Sequence, residues 1–267
     1  MTPKPWSEPP RRTVIAAVRH APMWMQALLL LVGAAAVALF YEGVRYFMWS
    51  QAMPVNEQRR EIETPLDEAP NADLPAAAAV GTPVQKPEEG TGNLFRRRYR
   101  VTIDEPTLSA ESLMAQMKAN PNDFSPEMLA RFEKTKGADG QMAVGDEFFI
   151  HILGPWNGPV RVTHVAPEGF SFVTLQDHLE AGQINFRAAE VPERPDAIRF
   201  EIHSEARSRD KSVEFAYEIV GIAKAAQTSM WANWCRRVVE KSGGTLVGEI
   251  DVLTEKQPIK EDESEDA

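Results

Sequence analysis

A twenty-residue apolar run, residues 22–41, limits how this chain can fold more than any other stretch. Its sequence, PMWMQALLLLVGAAAVALFY, contains no charged side chain and a single polar one, Gln26. A helix needs about 20 mainly apolar residues to cross the hydrocarbon core of a bilayer. Aromatic residues lie at both ends of the run, as in interfacial belts: Trp24, Tyr41, Tyr46 and Trp49. The sequence therefore predicts a transmembrane helix over residues 22–49, with the lipid bilayer as its partner.

Basic residues on either side of the run favour one membrane orientation. Four precede it and three follow it: Lys4, Arg11, Arg12 and Arg19, then Arg45, Arg59 and Arg60. The positive-inside rule counts such bases. It predicts a single-pass inner-membrane protein with segment 1–21 in the cytoplasm and the C-terminal domain in the periplasm or outside the cell. A cleaved secretory signal is the alternative, although signal cores are typically about 7–15 residues long.

The net charge of −10 is concentrated in two stretches. Residues 57–89 carry eight acidic and three basic side chains, and residues 255–267 carry six and two. Residues 50–92 also contain six prolines and almost no large apolar residues, which predicts a disordered linker. Residues 246–267 are predicted to be an acidic tail. The chain has no stripe of basic residues that could bind a phosphate backbone, so no nucleic-acid partner is expected.

The segment 93–245 reads as one α+β domain. Alternating apolar residues predict a first strand over 99–103, and Ser109 and Ser125 are predicted to begin two short helices. Several short apolar runs with turn residues between them predict about five antiparallel strands. A long amphipathic helix is predicted over about 210–242. This order of elements resembles the helix-grip fold of the START-like superfamily, in which a curved antiparallel sheet surrounds a long C-terminal helix.

A more specific resemblance lies within residues 169–186. Here the chain is similar to an uncharacterised family, domain-of-unknown-function family DUF1990 (UPF0548-like). The matching residues are Gly169, Phe170, Phe172, Thr174, Leu175, His178, Glu180, Gly182 and Phe186. The chain departs from the family pattern at Val173, Gln176, Asp177 and Leu179. The resemblance implies the helix-grip domain and brings no established activity with it.

His178 is the main polar candidate for a functional site. It is flanked by Asp177 and Glu180, and neighbouring carboxylates can orient a histidine ring and raise its basicity. The alternative is a histidine that only orders its turn, which would show the same neighbouring residues. His164 is in phase with Val160 and Val162, so it is expected to point inward. The predicted ligand-binding residues are His164, Phe172, His178, Phe200, Ile222 and Met230.

The chain contains no nucleophile elbow, Walker loop, dinucleotide fingerprint or histidine pair spaced for a metal. No catalytic residue, metal or cofactor is therefore predicted. The first functional hypothesis is a domain that binds a small apolar or amphipathic ligand such as a lipid. The second is an envelope scaffold or interaction module whose protein partner the sequence leaves unknown. The third is an enzyme that uses His178.

Overall fold

The chain divides into two compact units, Met1–Phe47 and Met48–Ala267. The computed structural model describes residues 37, 40, 41, 44, 53–68, 74–126, 130–152, 157–210 and 222–260, without the side chains of 222–227. In the first unit the described residues Val37, Phe40, Tyr41 and Val44 are helical. The second unit carries the sheet and the candidate site.

The predicted membrane helix is not supported by the structure. Apart from those four residues, the span 22–49 lies outside the described residues. Within the described part of the chain, no helix combines the length and the apolar character needed to traverse a bilayer. The predictions of a transmembrane helix, of bilayer contact and of a single-pass inner-membrane location are corrected accordingly.

The described part of the second unit forms ten strands and two α-helices. In chain order they are β1 (Val55–Glu61), β2 (Thr91–Asp104), α1 (Ala110–Ala119), β3 (Ala130–Lys136), β4 (Glu147–Ile152), β5 (Gly158–Ala166), β6 (Gly169–Thr174), β7 (Glu180–Val191), β8 (Arg194–Ser208), α2 (Ile222–Ser242), β9 (Thr245–Leu246) and β10 (Ile250–Gln257). The strands form one sheet in the order β1-β10-β2-β8-β7-β6-β5-β4-β3, with β9 beside β2. Neighbours run antiparallel except β1 and β10, which are parallel.

The sheet curves around α2. On one side, α2 contacts β2, β8 and β10. On the other side, the rings of Trp234 in α2 and Phe132 in β3 lie 5.4 Å apart. Strands β2 and β3 are six positions apart in the sheet, which would separate them by about 29 Å if the sheet were flat. One helix can reach both only because the sheet wraps around it, so the domain has a helix-grip-like fold.

The predicted disordered linker is wrong for the described residues of 50–92. Val55 lies opposite Ile250 in the β1–β10 ladder. Farther along, the buried guanidinium of Arg161 donates to the carbonyl oxygens of Ala78 at 2.9 Å and Thr82 at 2.8 Å. The segment is ordered through backbone hydrogen bonds rather than through apolar side chains of its own, which is why its composition is misleading.

The predicted acidic tail, 246–267, also contains part of the sheet. β10 lies between β1 and β2, and both Ile250 and Val252 are buried. Beyond the strand, Lys260 forms an ion pair with Asp67 at 2.6 Å. The compact unit therefore extends beyond the predicted domain limits of 93 and 245. Residues 261–267 lie outside the described part.

One of the two short helices is confirmed and the other is corrected. Ser109 caps α1, and its Oγ accepts a hydrogen bond from the backbone N–H of Ser112 at 3.1 Å. The second predicted helix, from Ser125, is replaced by β3, where Phe132 lies opposite Ile150 of β4. Cross-strand pairing overrides the local helix signal there. The predicted long helix is described from Ile222 onward, and residues 211–221 lie outside the description.

Candidate functional site

A cavity of about 80 Å³ lies between the inner face of the sheet and α2. Its walls come from β4, β5, β6, β7, β8, α2 and the loop before β7. The lining residues are Ile150, Ile152, Val160, Phe172, Val173, Thr174, His178, Leu179, Glu180, Gly182, Gln183, Ile184, Ser204, Ala206, Met230 and Trp231. Most of these side chains are apolar, and the partly exposed ones mark the mouth: Ile152, His178, Leu179, Glu180, Gln183 and Ile184.

Strand alternation puts the apolar walls in place. Side chains two residues apart share a face of the sheet, so Phe172 and Phe170 both point inward. Both are almost entirely buried, and their rings meet edge to face at 5.3 Å. On the helix side, the ring centroid of Trp231 lies 5.5 Å from that of Phe186 and 5.6 Å from that of Trp234. An aromatic cluster therefore forms the base of the cavity.

Two polar atoms in the cavity wall have no hydrogen-bond partner. Ser204 Oγ and Trp231 Nε1 are both buried without one. Their residues are only 6% and 5% exposed. Leaving such a group unpaired typically costs about 1–3 kcal/mol. The mainly apolar lining thus includes two residues whose polar atoms, a hydroxyl and an indole N–H, are buried and unpaired.

A buried ion pair lies beside these groups. Arg97 is opposite Ser204 in the β2–β8 ladder, so the two side chains share the inner face. Arg97 is 3% exposed, and its Nη1 lies 3.7 Å from Glu180 Oε1. That separation is short enough for charge attraction but too long for a hydrogen bond. Nη1 correspondingly lacks a hydrogen-bond acceptor.

His178 is held by the backbone and not by a carboxylate. The N–H of Glu180 donates to His178 Nδ1 at 3.0 Å. Nδ1 also lies 3.1 Å from the Glu180 carbonyl oxygen, so the backbone of Glu180 offers this nitrogen both a donor and an acceptor. Burial lowers the pKa of His178 below its ordinary value; the Glu180 charge opposes this shift and Arg209 adds to it. His178 is therefore a neutral wall of the cavity and a weak base.

The loop that carries His178 is fastened by Gln85. The Gln85 side-chain amide donates to the carbonyl oxygens of His178 at 2.8 Å and Glu180 at 2.9 Å. Asp177, in the same loop, has a φ of 77°, a left-handed conformation that Asp tolerates better than most residues. The mouth of the cavity is thus shaped by a segment far away in sequence.

The structure brings three of the six predicted ligand-binding residues together. Phe172, His178 and Met230 line the cavity. Phe200 is buried in the core of β8 and is not part of the lining. The backbone of Ile222 begins α2, and its side chain lies outside the described part. The ligand-binding role of these residues stays a prediction.

His164 is exposed instead of pointing inward. The ladder between β5 and β6 shifts register between Val162 and His164, so that Val162 lies opposite Phe172 and His164 lies opposite Ser171. The extra residue, Thr163, makes this a β-bulge. A bulge reverses the inward and outward alternation beyond it, and simple alternation from Val160 therefore gave the wrong face.

The residues that sequence reasoning missed are the polar ones of the inner face: Arg97, Ser204 and Trp231. Arg97 belongs to a basic run that reads as a solvated strand edge. Its phase with Tyr99 and Val101 was the available signal, because both of those residues are buried. Ser204 continues the phase of Phe200 and Ile202 in the same way. A polar residue in phase with apolar ones marks a candidate pocket group.

Metal and thiol chemistry find no support in the described residues. No group of three or more His, Cys, Asp or Glu side chains there is arranged to hold a metal ion. Cys235 is buried on α2, and burial raises the pKa of its thiol far above the ordinary value. It packs as a small apolar residue, as its sequence neighbours suggest.

Comparison with known families supports the DUF1990-like domain. The family described as "Domain of unknown function (DUF1990)" matches residues 116–237, slightly under half of the chain. The matched region includes β3 to β8 and most of α2. It thus contains the signature segment 169–186 and much of the cavity. Comparison with curated proteins found no match.

Solved structures show only distant likeness. A hypothetical protein from Helicobacter pylori is 8% identical, with 54% of this chain and 86% of that chain covered and a TM-score of 0.41. The di-domain aromatase/cyclase StfQ of the steffimycin pathway is 8% identical, with 59% and 52% covered and a TM-score of 0.41. Norcoclaurine synthase from Thalictrum flavum, in complex with dopamine and hydroxybenzaldehyde, is 12% identical, with 60% and 94% covered and a TM-score of 0.40. At these scores the likenesses assign neither function nor ligand to this chain.

Proposed function

We propose that this domain binds a small, mainly apolar molecule in the cavity between the sheet and α2. The observation that carries the proposal is the cavity itself, which is largely apolar and has a few polar groups in its walls. Ligand sites in proteins typically have this composition. An engineered apolar cavity of about 150 Å³ admits benzene. The cavity here is about 80 Å³, so a bound ring would extend from the enclosed space into the mouth.

The mouth supports the same proposal. His178, Leu179 and Glu180 line the cavity and are half-exposed. A ligand longer than one ring can therefore bury one end and leave the other at the surface. This arrangement suits a mainly apolar molecule that is longer than the enclosed space.

The two other hypotheses have less support. An interaction module was inferred from a flexible linker and tail, but the described parts of both are packed against the sheet. An enzyme would need His178 oriented as a general base. The ring is instead held by a backbone N–H, and the Glu180 carboxylate lies beside Arg97.

A titration with cumene tests the proposal, because this neutral hydrocarbon has a single ring. Ala206 lines the cavity, and a leucine there would fill much of the space. The control is Ala189→Leu, because Ala189 lies on β7 and faces away from the cavity. We expect the wild-type protein and Ala189→Leu to bind cumene saturably, and Ala206→Leu to bind at least tenfold more weakly.

Two results would contradict the proposal: absence of saturable cumene binding to the wild-type protein, or undiminished binding by folded Ala206→Leu. If Ala206→Leu does not fold, Ile184→Phe narrows the same cavity from β7. The melting temperature of each variant separates loss of fold from loss of binding.

A further inference from the structure

Hydrogen-bond donors that lack acceptors lie in and beside the cavity wall. Trp231 Nε1 can only donate, and Arg97 Nη1 can only donate. Both are buried without a hydrogen-bond acceptor, as is the hydroxyl of Ser204. One nearby hydroxyl is already engaged: Thr174 Oγ1 donates to the Gln85 carbonyl oxygen and accepts from the Gly182 N–H at 2.9 Å. An acceptor oxygen on a ligand would satisfy what the protein leaves unpaired.

The local charge decides which kind of acceptor fits. Arg97 is the buried cation, and the Glu180 carboxylate lies 3.7 Å from it. The titratable residues of the lining are Glu180 and His178, and the ring of His178 is neutral. A carboxylate ligand would bring a second negative charge to a cation that is already matched, and an unmatched buried charge is strongly unfavourable. A neutral oxygen avoids this penalty.

We infer that the ligand is an uncharged, mainly apolar molecule whose carbonyl-type oxygen accepts hydrogen bonds from Trp231 Nε1 and Ser204 Oγ, and that Glu180 excludes carboxylates by neutralising Arg97. This inference rests on the proposed function and specifies its ligand class. It assigns Trp231 and Ser204 to recognition, and the Arg97–Glu180 pair to selectivity.

Three probes of similar size test it: cumene, acetophenone and benzoate. Each contains one phenyl ring and a three-atom substituent, and they differ in bearing no oxygen, a ketone or a carboxylate. A hydrogen bond in such a site contributes roughly a factor of ten in affinity. We expect acetophenone to bind the wild-type protein about tenfold more tightly than cumene. Benzoate is expected to bind at least tenfold more weakly than acetophenone.

Variants separate recognition from packing. Ser204→Ala and Trp231→Phe each remove one donor and keep most of the shape. Both should lower the ratio of acetophenone affinity to cumene affinity severalfold, and Ser204→Ala should leave the cumene affinity itself unchanged. Because Ser204 Oγ has no partner, Ser204→Ala should not lower the melting temperature of the free protein. A purely structural role for Ser204 predicts a lower melting temperature and no change in probe preference.

Glu180→Gln tests the selectivity directly, since it leaves Arg97 without its matching charge. We expect benzoate to gain at least tenfold in affinity and the affinity for acetophenone to change little.

Equal binding of all three probes to the wild-type protein would overturn the inference and leave the proposed function standing. Failure of every probe to bind would overturn the proposed function itself. Should Glu180→Gln not fold, the wild-type preferences and Ser204→Ala still decide the matter.

Discussion

The side-chain amide of Gln85 donates a hydrogen bond to the carbonyl oxygen of His178 at 2.8 Å, across 93 residues of sequence. The same amide also donates to the carbonyl oxygen of Glu180. In return, the backbone carbonyl of Gln85 accepts from the Gly182 N–H. A segment whose composition predicts disorder thus fixes the mouth of the cavity.

Replacing Gln85 with alanine should therefore loosen the His178 loop. The change removes the side-chain donor from two partly buried carbonyl oxygens, and a buried acceptor left unpaired typically costs about 1–3 kcal/mol. We expect a lower free energy of unfolding and faster amide hydrogen exchange at Glu180. The control is Gln176→Ala, which makes the same change at an exposed position in the loop. Equal exchange in the two variants would contradict the role given to Gln85.

The contact between Gly158 and His178 gives a second prediction. A Cβ at position 158 would lie 2.0 Å from His178 Cδ2, and its two next nearest atoms also belong to His178. Gly158→Ala should consequently destabilise the domain by about 1–3 kcal/mol, as overpacking does. In a His178→Ala background the same change should have little effect. Chemical denaturation of the four proteins measures this coupling, and additive effects would show that the contact is unimportant.

Arg161 supports the third prediction, because it anchors residues 78–82 to the sheet. Its guanidinium is fully buried and also pairs with Glu147 at 2.7 Å. Removing one member of a buried pair typically costs about 3–5 kcal/mol. Arg161→Met should lower stability by about 3 kcal/mol and expose residues 74–90 to limited proteolysis. Arg131→Met, at a largely exposed ion pair, should do neither. Unchanged cleavage of Arg161→Met would disprove the anchoring role.

Acid should destabilise the domain through His178. Burial lowers the pKa of this ring in the folded protein below its ordinary value of 6.5. Between the two pKa values the unfolded chain binds a proton that the folded protein does not, so stability falls as the pH drops below about 6.5. His178→Gln should reduce this slope, whereas His164→Gln, at an exposed position, should retain it. Urea denaturation at a series of pH values measures the slope, and identical slopes in both variants would refute the assignment.

Parts of the fold follow directly from the sequence because their signals are local. Ser109 precedes an amphipathic stretch, and α1 begins there. The turns at Pro167-Glu168 and Pro192-Glu193 separate strands as their composition predicts. The alternation of Ile250 and Val252 was an equally local signal for β10. The acidic residues that follow β10 obscure this signal.

Other parts depend on distant partners and could not be predicted. Residues 74–90 are ordered by Arg161 and Gln85 through contacts that have no trace in their own composition. The exposure of His164 depends on a bulge, and one inserted residue reverses the face of every residue after it. The polar pair Arg97 and Glu180 comes together only when β2 and the start of β7 meet beside the cavity. Phe172 and Met230 could be placed because strand and helix periods point them inward, whereas His178 was singled out by its neighbouring carboxylates and the family resemblance.

The most direct test of ligand binding follows the indole N–H of Trp231 by two-dimensional NMR while acetophenone is added. Trp231 Nε1 has no hydrogen-bond partner in the free protein and lines the cavity. The account predicts a saturable shift of this signal to lower field, absent in Ala206→Leu. The indole of Trp234, which is buried outside the lining, should move less. Saturable binding that leaves the Trp231 signal in place, or no binding at all, would contradict the account.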